Sequence, residues 1–249
     1  RQLNIIVNDF PNHALTANAY LGLGDAYLMK NNHSQAITYY RQISSKFPNS
    51  TIAPFSLVKL GDIYYSNGNY GDAESSYRKA IQNYSGSQES AAAYLGIAKS
   101  QEAQNKIDSA KANFQYVITN HSETIESDEA RNKYGRIIAT QGDVPNAIKN
   151  FKAVIARRTD DLAAEAQYLI GWSYMHQEDY SAAVEELLKV RYLYQRHDYW
   201  VHSATLDAAI CQENLNKKDE AIKLYNIVLE NNTDNEFTDE ANEGLNRLK

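Results

Sequence analysis

Alanines stand at 36, 73, 110, 147, 183 and 221, at intervals of 37, 37, 37, 36 and 38 residues. A second ladder keeps step twelve positions ahead of them: Gly24, Gly61, Ala98, Gly135, Gly171 and Ala209. Two small residues at a fixed separation in apolar surroundings predict two helices in close contact, because Gly and Ala let helix axes approach to the short end of the roughly 8–10 Å range. A period of this length marks an array in which each helical hairpin buries its apolar side against the next. Such a chain offers a long surface more naturally than a catalytic pocket.

Four residues after each alanine comes a large apolar residue: Tyr40, Tyr77, Phe114, Phe151, Leu187 and Tyr225. Three further on stand Ile43, Ala80, Val117, Val154, Val190 and Val228, so the three positions form one stripe on the second helix of each unit. The first helix carries its own stripe beside the small residue, at Leu23, Leu60, Ile97, Tyr134, Ile170 and Ala208, and again at Tyr27, Tyr64, Gln101, Ile138, Tyr174 and Gln212. Polar turns such as Asn31-Asn32-His33, Gly68-Asn69, Gly142-Asp143 and Glu178-Asp179 separate the two helices. Gly, Asn and Asp tolerate the left-handed conformation that ends a helix. Between units, Phe10-Pro11, Phe47-Pro48 and Thr159-Asp160-Asp161 supply a helix stop and a new cap.

The order Tyr20, Leu23-Gly24, Tyr27, Ala36, Tyr40, Pro48, repeated as Leu57, Leu60-Gly61, Tyr64, Ala73, Tyr77, Ala80, resembles the tetratricopeptide repeat. Units three and six depart from it with Ala98 and Ala209 for glycine and Gln101 and Gln212 for tyrosine. The resemblance implies an all-α fold, an α-α superhelix or solenoid of antiparallel hairpins. It covers residues 1–249 as one array: 1–12 as the second helix of a preceding repeat, repeats at about 17–50, 54–87, 91–124, 128–161, 164–198 and 202–235, and 237–249 as a capping or half-repeat helix. Half-repeats at both ends suggest a fragment of a longer array. Hydrogen exchange is expected to be least retarded around residues 199–249.

A net charge of −6 and a pI near 5.6 argue against nucleic acid, whose phosphates require clustered Lys and Arg. Arg157-Arg158 reads as a complement to a helix dipole. No apolar run approaches the roughly 18–20 residues that span a bilayer, so no transmembrane segment is expected. Cys211 stands alone, which fits a reducing cytosol or a bacterial periplasm equally, and its place on a packed helix predicts a buried thiol.

No phosphate-binding glycine loop, nucleophile elbow, zinc-protease motif or C-x-x-C pair is present. His197 and His202 lie five apart across an expected helix boundary at Tyr199-Trp200, which does not place two imidazoles on one helical face. No catalytic residue, metal or cofactor is therefore expected.

The resemblance implies that first helices line a concave face and meet a peptide or partner protein there. Two apolar stations follow: Phe55 with Tyr65, and Tyr168 with Trp172 and Met175. Between them Lys99 and Arg136 could hold an acidic group of the ligand, with Asp25 and Asp62 repelling it from the first two repeats. Chaperone-binding relatives clamp a carboxylate with Lys and Asn where this chain has Leu21, Asp25, Val58 and Asp62, so that clamp is absent. The tyrosine-rich units, with junctions Phe10-Pro11-Asn12-His13 and Phe47-Pro48-Asn49-Ser50, are similar to periplasmic scaffolds of outer-membrane assembly and the Tol-Pal system. They imply a non-catalytic scaffold in a bacterial envelope, periplasmic or in an outer-membrane-associated complex. The alternatives are an accessory domain of a larger envelope enzyme or secretion machine, and a cytosolic adaptor.

Overall fold

The computed structural model describes residues 2–11, 13, 15–231 and 235–249, with the backbone alone at 231, 235 and 236. Arg1, Asn12 of the first junction and residues 232–234 of the sixth expected repeat lie outside that description. Among the described residues there are fourteen helices and no strand. The chain divides into two compact units, Arg1–Ser127 and Asp128–Lys249, a boundary that falls in the first turn of one helix.

The first unit contains α1 (Gln2–Asp9), the hairpins α2 (Thr16–Met29) with α3 (His33–Lys46), α4 (Ala53–Ser66) with α5 (Tyr70–Asn83), and α6 (Ser90–Ala103) with α7 (Ile107–Asn120). Helix α8 (Ile125–Thr140) pairs in sequence with α9 (Val144–Ile155). The second unit continues with α10 (Asp161–His176) and α11 (Tyr180–Leu193), α12 (Asp198–Asn214) and α13 (Lys218–Asn231), and α14 (Asn235–Arg247). Helices α8, α10 and α12 begin three or four residues ahead of the expected starts at 128, 164 and 202. In α10 and α12 the added turn opens on Asp161 and Asp198, whose charges favour a helix N-terminus. Tyr199-Trp200 is thus the first turn of α12, not a boundary.

Every ladder alanine is fully buried, and the two stripe positions that follow it are at most 3 % exposed in all six repeats. In the first unit this core runs from Tyr20 to Ile97; in the second, one cluster joins α8 to α10 and a larger one joins α10 to α14. The small residue of the first helix makes room chiefly for a side chain, and at Gly171 also for the backbone nitrogen of Leu187, 2.9 Å from an added methyl group. A methyl group on Gly24 would come 2.8 Å from the Tyr40 ring, and on Gly135 or Gly171 it would come 2.5 Å from Phe151 or Leu187. Tyr77 is enclosed from both sides, by Gly61 of its own hairpin and Gly96 of the next.

The turn inside each hairpin contains one residue of positive φ: Asn31, Gly68, Asn105, Gly142, Glu178 and Asn216. They keep the spacing of the alanines. The residue that follows each immediately precedes the second helix, and there Asn32, Asp143 and Asp179 accept the amides of Gln35, Asn146 and Ala182.

Candidate functional site

The candidate residues all lie on first helices: Phe55 and Tyr65 on α4, Lys99 on α6, Arg136 on α8, and Tyr168, Trp172 and Met175 on α10. In the first unit Phe55 and Tyr65 are half-buried at opposite ends of α4. Ten residues of helix separate them by about 15 Å, so they do not form one station. Lys59 Nζ lies 5.2 Å from the centroid of the Phe55 ring. Tyr65 packs on Tyr70 with centroids 5.3 Å apart, and Lys99 of α6 approaches the Tyr65 ring at 5.7 Å. The structure therefore brings Lys99 to Tyr65, joining two residues that the sequence had assigned to different tasks.

Asp25 and Asp62 have a structural role that the sequence analysis missed. Tyr40 donates its phenolic hydrogen to Asp25 Oδ1 at 2.5 Å, and Tyr77 donates to Asp62 Oδ1 at 2.8 Å. Burial first, and then Asp25, raise the Tyr40 phenol well above its usual range. The signal was present in the chain: Gly-Asp occurs where the large residue sixteen positions after the glycine is tyrosine, and the aspartate is missing where that residue is Phe151 or Leu187.

In the second unit Arg136 is exposed on α8, and Tyr168, Trp172 and Met175 are half-buried on α10. The three diverge. Trp172 packs against the α8–α10 cluster, Met175 against the α10–α14 cluster, and Tyr168 against both. Trp172 also covers His176, with ring centroids 3.8 Å apart. Tyr168 reaches α12, where it packs on Trp200 at 5.4 Å and donates to Asp207 Oδ2 at 2.8 Å. Burial pushes the Asp207 carboxyl up to about 6; the Tyr168 hydrogen bond opposes that shift and Glu240 adds to it. Neither Asp207 nor Trp200 was singled out from sequence.

Arg157 and Arg158 follow the last turn of α9, and their amides bond back to Val154. Both approach the buried Asp128, at 3.8 and 3.5 Å, and Arg158 also grips Asp160 with two nitrogens. That grip lowers the Asp160 carboxyl below its ordinary range. His197 lies 3.3 Å from Asp161, and His202 packs on Phe237. Cys211 is fully buried and its thiol is pushed up to about 12 by desolvation, with Asp207 contributing. Among the described residues no group of three His, Cys, Asp or Glu side chains is placed to hold a metal, and no helix is long and apolar enough to cross a membrane. An open cleft of about 880 Å³ lies at the junctions between hairpins of the first unit, bordered by Pro48, Asn49, Pro54, Tyr84 and Glu89. Its lining comes mostly from the junctions and includes neither Phe55 nor Tyr65.

Known structures share this fold at low identity. The C-terminal part of a TPR repeat-containing protein from Cytophaga hutchinsonii is 18 % identical, with a TM-score of 0.63 over 83 % of this chain and 77 % of that one. YrrB, described as a TPR protein with an unusual peptide-binding site, is 19 % identical with a TM-score of 0.56 over 82 % of this chain and 97 % of its own. The Cut9-Hcn1 hetero-tetramer of the APC/C gives 18 % identity and a TM-score of 0.69 over 98 % of this chain and 45 % of that one. No curated protein matches the sequence. A tetratricopeptide-repeat family model matches residues 58–110, 95–161 and 139–198, and a second model of the same repeat matches 18–50 and 203–234. Since the first model alone spans 58–198 without a break, more than half of the 249 residues, the chain belongs to the tetratricopeptide-repeat family.

Proposed function

We propose that this chain is a non-catalytic scaffold whose first helices hold an extended segment of a partner protein in a bacterial envelope. The observation that carries the reading is the half-buried Trp172. It follows Gly171, whose backbone is closed over by Leu187, and so stands beside the core stripe rather than within it. A large ring in that place is costly to leave wet and becomes favourable when a ligand covers it. Phe55, Tyr65 and Met175 are half-buried first-helix side chains of the same kind, and Lys99 and Arg136 supply positive charge for acidic groups of the segment. The peptide-binding site named for YrrB is consistent with this use of the fold. The envelope placement rests on the tyrosine-rich units and the Phe-Pro-Asn junctions, and cell fractionation tests it.

A photo-crosslinking residue at Trp172 or Phe55 should give partner adducts in native extract, while the same residue at exposed Lys79 on the second helix α5 should not. Lys99→Glu should weaken the adduct formed from Phe55. Equal yields from all three positions overturn the proposal.

A further inference from the structure

We propose that Tyr168, Tyr199, Trp200, Asp207 and Glu240 form a receptor for one basic side chain, lysine or arginine, of the bound segment. The inference rests on the scaffold reading and names the chemistry that one part of its surface selects. Three helices contribute: Tyr168 from α10, Tyr199, Trp200 and Asp207 from α12, and Glu240 from α14.

The aromatic part is an angled pair of walls. Tyr199 meets Trp200 edge-on, with centroids 4.9 Å apart and planes at 84°, and the Tyr168 ring lies 5.4 Å from that of Trp200, tilted by 38°. Tyr199 is 60 % exposed, an unusual expense for a ring already touching Phe237 at 5.7 Å. Ring faces attract cations, and tryptophan and tyrosine do so most strongly. A bare apolar wall would accept any aliphatic side chain; this one is edged with negative charge.

Asp207 is half-buried and receives one hydrogen bond, from the Tyr168 hydroxyl, while Glu240 is exposed on the neighbouring helix and close enough to oppose the Asp207 charge. No cation among the described residues is within ion-pair distance of either carboxylate. The titratable groups facing Asp207 are Tyr168 from α10, Cys211 from its own helix and Glu240 from α14, none of which bears positive charge. Two carboxylates that raise each other's energy are stabilised together by one cation. A lysine or arginine stem could lie along Tyr199 and Trp200 with its head between the carboxylates, whereas an acidic or uncharged side chain meets repulsion or leaves the pair uncompensated.

The test uses the whole chain, ¹⁵N-labelled, titrated with the amides of N-acetyl-lysine, N-acetyl-arginine, N-acetyl-norleucine and N-acetyl-glutamate. Norleucine has the lysine stem without its charge. The lysine and arginine probes should shift the Trp200 indole and the Asp207 and Glu240 amides, with norleucine about tenfold weaker and glutamate inert. Asp207→Asn, which keeps an acceptor for Tyr168, and Glu240→Gln on the surface should each weaken the lysine probe severalfold without altering the melting curve at neutral pH by more than the Asp207 charge accounts for. Lowering the pH from about 7.5 to about 5 should weaken lysine binding in the wild type, because Asp207 takes up a proton, and leave Asp207→Asn nearly unchanged. Norleucine binding as well as lysine, failure of all probes to shift these resonances, or unchanged lysine affinity in both variants overturns the proposal. Cation-selective binding without crosslinks from Trp172 places the error in the scaffold reading, and crosslinks without cation selectivity place it here.

Discussion

Two glutamines show how one substitution against the repeat pattern can have opposite consequences. Gln101 and Gln212 both replace the first-helix tyrosine. Gln101 is 4 % exposed, its amide nitrogen donates to Glu74 Oε1 at 3.0 Å, and its oxygen accepts from Asn113 Nδ2 at 2.9 Å. It ties α5, α6 and α7 together. Glu74, despite some desolvation, is held below the ordinary carboxylate range by Arg78 and this amide. Gln212 has a buried Oε1 with no hydrogen-bond partner. Gln101→Leu should therefore destabilise the chain by about 1–3 kcal/mol, and Gln212→Leu should be neutral or stabilise it by up to about 1 kcal/mol. Thermal or urea melts of the two variants check this; equal losses would deny the difference in hydrogen bonding. The sequence marks both residues as departures, and nothing in it distinguishes them, because the partners of Gln101 come from two other helices.

At the scale of the element, the fold was legible because packing repeats. A stripe of alanine, large residue and a third apolar residue returns in every second helix, and each of those positions is buried. Ala147 is fully enclosed in a cluster with Val144, Phe151 and Ile170, so Ala147→Leu should overpack that contact and cost roughly 1–3 kcal/mol. An unchanged melting midpoint would refute the close-contact assignment. The candidate site was legible only in part. Tyr168, Trp172 and Lys99 could be named because a family pattern assigns positions on one helix. Asp207 escaped because its role depends on a hydroxyl 39 residues away, and Tyr199 and Trp200 escaped because α12 begins a turn earlier than the repeat length suggests. Periodicity reports what a helix does to its neighbour inside the core. It is silent where adjacent first helices exchange polar contacts.

For the molecule as a whole, the burial pattern suggests a different weakest segment from the one expected from the sequence. The sequence expectation placed it at residues 199–249, yet helices α12 to α14 belong to the larger cluster of the second unit, with Cys211, Ala221, Tyr225 and Ala241 fully enclosed. Helix α1 has no buried residue. Its amides should exchange fastest among the fourteen helices, and those of α5 and α11 should be among the slowest, as hydrogen exchange with mass-spectrometric readout can measure. Faster exchange in α12 than in α1 would favour the sequence expectation instead. The enclosure of Tyr77 between Gly61 and Gly96 has a further consequence, for how such a chain can change over generations. One ring is shared property of two repeats, so neither glycine can acquire a side chain while the ring stays, and the ring can shrink only by opening a void against both. Duplication or exchange of the second hairpin would carry the ring away from the glycine that accommodates it. The order of these repeats is thereby written into their contacts, and a lineage that shuffles them must first pass through a loosely packed intermediate.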